Sequence, residues 1–344
     1  MKKVVLAKGA EAEEALRNYF INLGYYVVRG CKFRYKQFDV TDVDLWLYRK
    51  NSALTRERIN VDIKNKKTPQ ALERVLWAKG LQSILKLDGC MVATTESRED
   101  VRRFGLQHGI TVLDKEFLKR LIGSEKGRQE RILEEQFLSD IDQESLGKLG
   151  GDWRQKYESG KSRFLETLNF DGCNAWLDDI GYFIEQSAGS GYSSKCVQRL
   201  VYFCVSGFLV SVDFVLREHA VSSQDQREET LNNGFRFGSF GKAYTDKIGK
   251  LAANLVVNVT NKPELGETVL LALSEQSDVV RSDILAEFLS KSGNSSAVFD
   301  IAREFESAAF DVRGKLPSEL SVRAQSILGV LADFYGIDRK LIIA

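Results

Sequence analysis

Histidine is nearly missing from this chain: 344 residues contain two, His108 and His219. Imidazole-based metal centres, HD-type phosphohydrolases and zinc-dependent deaminases need more ligands than that. Cysteine is sparse and unpatterned. Cys31, Cys90, Cys173, Cys196 and Cys204 are odd in number and hold no Cys-x-x-Cys, so neither a disulfide framework nor a zinc ribbon is indicated, and reduced cytoplasmic thiols are expected. Only three prolines (Pro69, Pro263, Pro317) occur, with no low-complexity tract and no fixed-period repeat, which argues against long disordered linkers and solenoids. There is no Gly-x-Ser-x-Gly elbow. Gly241-Lys242 is followed by Ala243, and Arg236 stands where a P-loop requires glycine, so nucleotide triphosphate hydrolysis is not expected. The longest apolar run, Leu200 to Leu216, contains Asp213 and reads as the central helix of a soluble bundle rather than a membrane span. The apolar stretch within residues 1–7 is too short for a signal peptide.

What is present is the composition of a folded protein, 43% hydrophobic and 28% charged. The length exceeds what one core usually holds, so two or more domains are expected. Two segments carry chemistry. Thr41-Asp42-Val43-Asp44-Leu45-Trp46-Leu47-Tyr48 and Ile59-Asn60-Val61-Asp62-Ile63-Lys64 have the composition of strands, joined by a short polar stretch as in a hairpin. Residues two apart on a strand share a face, so Asp62 and Lys64 point together, and pairing can bring Asp44 beside Asp62. Two carboxylates suit Mg²⁺, which takes one or two of them and keeps its other positions for water and phosphate. Lys64 would position the attacking water or stabilise phosphate charge. Asp42 shares a face with Asp44 and competes for its role.

The order of elements supplies context. Gly9 to Leu23 reads as a helix with Ala12, Leu16, Tyr19, Phe20 and Leu23 on one face; Glu13 lies at the rim of that stripe, while Glu11 and Glu14 point away. A strand at Tyr25 to Val28 follows, then the two acidic strands and a helix from Pro69 to Leu87. Gly89 to Thr95 is a strand, Glu99 to Gln107 a helix ending at His108, Ile110 to Leu113 a strand and Lys115 to Ile122 a helix. Alternation of this kind predicts an α/β domain with a mixed, partly parallel sheet flanked by helices.

These residues resemble the restriction endonuclease-like nucleases with the PD-(D/E)xK signature, in their Mrr-like and Holliday-junction-resolvase-like branches. Lys8-Gly9-Ala10-Glu11-Ala12-Glu13 and Leu23-Gly24-Tyr25-Tyr26-Val27-Val28-Arg29 resemble the family's opening helix and first strand. Asp44 matches the first signature acid, and Asp62 with Lys64 the (D/E)xK. Cys90 to Thr95 and Gly109 to Asp114 are similar to later strands. Val43 replaces the signature proline, which carries little of the chemistry. The resemblance covers residues 1–122. It implies metal ligation by Asp44 and Asp62, Lys64 near the attacking water, Glu13 as an auxiliary acid, Mg²⁺ with Mn²⁺ as a substitute, and DNA as partner. Lys66, Lys67, Arg74 and Lys79 would contact flanking phosphates. The expected activity is a Mg-dependent endodeoxyribonuclease, in bacterial genome defence or DNA processing by the same resemblance; the alternative is an inactive nucleic-acid-binding or assembly subunit on the same fold.

Charge divides along the chain. Residues 1–122 hold 24 Lys+Arg against 15 Asp+Glu, and the remainder 25 against 33. A basic first segment beside an acidic second one suggests a polyanion for the first, which the acidic part could also restrain. Beyond Gly123 the pattern is helical: Gln129–Leu146, Asp152–Leu168, Asn174–Gln186, Tyr192–His219, Lys242–Val259, Asp278–Lys291, Ser295–Ala309 and Ser318–Tyr335. An all-α domain over 123–344 is expected, serving homo-oligomerisation, a partner protein or regulation, with no membrane. The Gly234 to Gly241 segment reads as a helix connection whose phenylalanines plug the core, with base stacking as the other reading.

Overall fold

The computed structural model describes residues 8–36, 38–66, 70–123, 131–145, 151–189 and 194–340. The first helix, α1 (Lys8–Asn22), precedes a sheet of β1 (Tyr26–Tyr35), β2 (Phe38–Lys50), β3 (Arg56–Lys64), β4 (Gly89–Thr94) and β5 (Thr111–Leu113). Spatial order follows chain order. β1, β2 and β3 form an antiparallel meander, and β4 and β5 add in parallel. The β2–β3 turn is short because Ser52 holds it, its hydroxyl accepting from the backbone amides of Leu54 and Thr55 at 3.1 and 3.0 Å. Parallel neighbours need crossovers, and the chain supplies α2 (Ala71–Ile84) between β3 and β4 and α3 (Glu99–Gln107) between β4 and β5; α4 (Lys115–Ile122) follows.

Alternation sorts the side chains into two cores. Leu45, Leu47, Ile59, Val61 and Ile63 face Ala12, Leu16 and Phe20 of α1 and Leu118 of α4. On the opposite face Cys90, Val92 and Val112 meet Ala71, Val75 and Ala78 of α2 and Val101 of α3. Trp46 and Tyr48 share neither core. Both are fully buried because α6 (Trp153–Glu166) supplies Phe164, stacked on Trp46 at 4.9 Å and against Tyr26 at 5.6 Å.

The first compact unit therefore runs past the expected break at residue 122. It comprises residues 1–166, 192–203 and 306–314, taking in α5 (Glu134–Glu144), α6, the start of α8 (Lys195–Leu216) and the end of α13 (Ser292–Ala309). The sheet face bearing Trp46 and Tyr48 is too apolar to be left to solvent, and the helices after residue 122 cover it.

The second unit, residues 167–191, 204–305 and 315–344, is helical throughout its described residues. It holds α7 (Phe170–Gly189), the rest of α8, α9 (Gln224–Phe237), α10 (Gly241–Thr260), α11 (Pro263–Val279), α12 (Ser282–Ser290), most of α13, and α14 (Val322–Tyr335). Trp176, Phe208, Leu285, Phe305 and Leu328 are buried in it. Gly207 admits the Trp176 ring, which lies 2.5 Å from where a Cβ would stand. Residues 195–219 are long and apolar enough to cross a membrane, and the helix they form is largely buried within the protein. Three helices differ from the sequence expectation: neither α9 nor α11 was anticipated, and the helix expected over Asp278–Lys291 is the shorter α12, which begins at Ser282 after α11 ends at Val279. The Gly234 to Gly241 segment is half helix: Phe235 is buried against Phe170 and Phe208, while Phe240 is exposed.

Candidate active site

The β2–β3 ladder runs from Lys50 opposite Arg56 to Leu45 opposite Val61. Asp44 and Asp62 each lie one residue beyond that last pair, near enough for Asp62 to push the Asp44 carboxyl up. Asp44 Oδ2 accepts a hydrogen bond from the amide of Ile63 at 2.6 Å, which ties the carboxylate to the end of β3. On the other side, β1 pairs Arg29 with Leu45 and Cys31 with Val43, leaving Gly30 across from Asp44. Gly30 has φ +64°, a backbone conformation glycine adopts without steric cost. Lys64 lies two residues beyond Asp62, on its face.

Electrostatics join these groups. The Asp44 carboxyl is raised to about 6, chiefly by burial, with Asp62 and Glu13 also pushing it up and the Ile63 amide and Lys64 pulling it down. Asp44 is thus an acid with incomplete compensation, for which a proton or another cation is a favourable partner.

The remaining expected site residues are placed less simply. Asp62 is buried and held by a two-pronged ion pair from Arg74 of α2, whose Nε donates at 2.8 Å to Oδ2 and whose Nη2 donates to Oδ1. Arg74 also lies 5.6 Å from the Trp77 ring. It is therefore engaged within the site, and reaching a phosphate would require release of Asp62. Glu13 lies half-buried on α1, where its Oε2 accepts from Arg29 Nε at 2.6 Å. Lys66 is exposed, Lys79 is exposed and donates to Gln82 Oε1 at 3.0 Å, and Lys67 lies outside the described residues. Asp42, the rival of Asp44, is exposed opposite Lys32 on β1.

Beside this site lies a buried ionic network that the sequence reading missed. Arg17 of α1 donates to Glu134 at 3.3 Å and Glu306 at 3.0 Å; Arg29 of β1 donates to Glu14 at 3.0 Å and Glu135 at 2.8 Å. Arg131 donates to Glu306 at 2.6 Å, and Lys161 and Tyr157 of α6 both donate to Glu134, at 2.9 and 2.7 Å. Glu14, expected to point to solvent, is buried, because α1 has a second packed side facing α5 and the end of α13. The signal available was Glu14 and Arg17 one helical turn apart, a pair more often solvent-facing. Burial alone would raise Glu134, but Lys161 and Arg17 outweigh it and hold that carboxyl at about 2.

Asp44 is a carboxylate of the hard-oxygen kind that divalent cations take, whereas both oxygens of Asp62 are engaged by Arg74. The raised Asp44 carboxyl reflects burial first, with Asp62 and Glu13 adding to it. Among the described residues no group of three or more His, Cys, Asp or Glu side chains could hold a metal. Comparison with protein-family models, curated proteins and solved structures returned no match.

Proposed function

We propose that this chain is a metal-dependent endodeoxyribonuclease of the PD-(D/E)xK kind, with a restriction endonuclease-like catalytic domain. What supports the reading is that Asp44 and Asp62 each lie one residue beyond the last β2–β3 pair and interact electrostatically, with Lys64 two residues past Asp62 on its face. Asp44 and Asp62 would hold Mg²⁺, or Mn²⁺ in its place; the ion would acidify a bound water and neutralise phosphate charge. Lys64 donates to the attacking water or a phosphate oxygen and so orients the reactants. Arg74 restrains Asp62 until a substrate phosphate offers its guanidinium a better bidentate partner. Glu13, held by Arg29, acts through the field at Asp44 rather than by contact.

The test is cleavage of DNA by the purified protein with Mg²⁺ or Mn²⁺ and its loss with EDTA. Asp62→Asn keeps shape and removes charge, and Lys64→Ala removes the ammonium; each is expected to abolish cutting while DNA binding persists. One observation favours a second reading, an inactive nucleic-acid-binding or assembly subunit: Arg74 neutralises Asp62 within the fold. The two readings part at Arg74→Ala. In a nuclease the freed Asp62 raises Mn²⁺ affinity about tenfold, read by calorimetry, since an adjacent cation no longer competes. In an assembly subunit no Mn²⁺ binds with either residue.

A further inference from the structure

The α10–α11 hairpin of the second unit is covered on too little of its surface. Its fully buried residues are Gly249, Ala253 and Gly266, all small. Gly266 lets the helices approach closely, a Cβ there falling 2.6 Å from Val257 Cγ2. Close packing of small residues buries little apolar area, while ordering each residue costs about 1–2 kcal/mol. Helices in proteins are held mainly by an apolar face packed on something else.

That face exists and is exposed. On α10, Tyr244, Ile248, Leu251, Leu255 and Val259 are all exposed and, at 100° per residue, fall within one narrow stripe away from Gly249 and Ala253. On α11, Leu265, Val269, Ala272 and Val279 follow heptad spacing; Leu265 and Val279 are exposed. Charge differs between the helices. α10 has Lys242, Lys247 and Lys250 against Asp246, whereas α11 has Glu264, Glu267, Glu275 and Asp278 and no basic residue. Lys247 borders the α10 stripe; Glu264 and Glu275 flank that of α11.

We propose that the hairpin is a homodimerisation surface, with α10 of one copy seated on α11 of the other. The occupant is a second copy because the surface is complementary to itself: a basic stripe and an acidic one on the same hairpin are matched twice by a two-fold axis. Helices about 30 and 25 Å long and about 10 Å across offer on the order of 600 Å² per copy, about 1,200 Å² in total, the lower bound of a specific interface. The result is a small four-helix assembly.

The experiment is sedimentation equilibrium of the full chain over a concentration series, with circular dichroism to confirm that each variant is folded. The expected result is a reversible dimer. Leu251→Lys with Leu255→Lys weakens it at least about tenfold. Lys247→Glu with Lys250→Glu in one chain, and Glu264→Lys with Glu275→Lys in another, each dissociate the homodimer roughly a hundredfold; mixing the two chains restores a dimer, since both contacts are again of opposite sign. A monomer at every concentration, a dimer indifferent to these variants, or a mixture that fails to associate overturns the proposal. So does a monomer that sediments with anionic lipid vesicles through the same leucines.

Discussion

Lys161 concentrates the physics of the first unit in one side chain. Its ammonium is buried, donates to Glu134 at 2.9 Å and to the Arg29 carbonyl at 3.2 Å, and stands 5.0 Å from the Tyr157 ring. A buried ion pair adds little net stability when formed, but removing one partner strands the other. Lys161→Met is accordingly expected to destabilise the protein by about 3–5 kcal/mol, read as a lower urea midpoint. The same network sets an acid limit. Glu134 titrates at about 2 folded against an ordinary 4.5, so the protonated form is the one the fold disfavours. Its contribution, on the order of 3 kcal/mol, is complete above about 4.5 and disappears as pH falls through about 2. Urea midpoints from pH 6 downward should fall steadily below pH 5 in the wild type and much less in Glu134→Gln.

Among elements, most of those with apolar periodicity were legible, α11 being the exception, and those held by polar contacts were not. α3 and α4 lie where the sequence places them, at Glu99–Gln107 and Lys115–Ile122. β1 was read as ending at Val28 but continues to Tyr35, its later residues carrying charges that pair outside the strand, Lys32 with Glu158 of α6 and Arg34 with Asp39 of β2. The antiparallel pairing of β2 with β3 was legible because a short hairpin turn fixes pairing. The Arg74 fork and the Arg29 grip on Glu13 were not, as both depend on how helices dock. α9 was passed over for its polar composition, although Ser223 and Gln226 form a reciprocal capping box at its start, a signal that spacing alone carries. Ser223→Ala is expected to cost about 1 kcal/mol and to lower the thermal midpoint by a few degrees, whereas Ser223→Asp should leave it nearly unchanged.

For the whole molecule, the division of charge takes on a second meaning. Arg17, Arg29 and Lys32, counted as basic excess in residues 1–122, are matched by Glu134, Glu135, Glu158 and Glu306 from later in the chain. Part of the positive balance is internal countercharge. A fragment of residues 1–122 is therefore expected to be poorly soluble and lacking a cooperative thermal transition, with Trp46 and Tyr48 uncovered and Arg17 unpaired; light scattering and calorimetry would read both. A stable, soluble fragment would mean the later helices are dispensable to the sheet. The first unit also imposes an order in time. Chains emerge from the ribosome at about 5–20 residues per second, and Glu306 follows Glu166 by some 140 residues, so the nascent sheet waits on the order of ten seconds for the carboxylate that both Arg17 and Arg131 require. Throughout that interval the two arginines lack the carboxylate they pair with in the finished fold, so the first unit closes only once most of the second has been made.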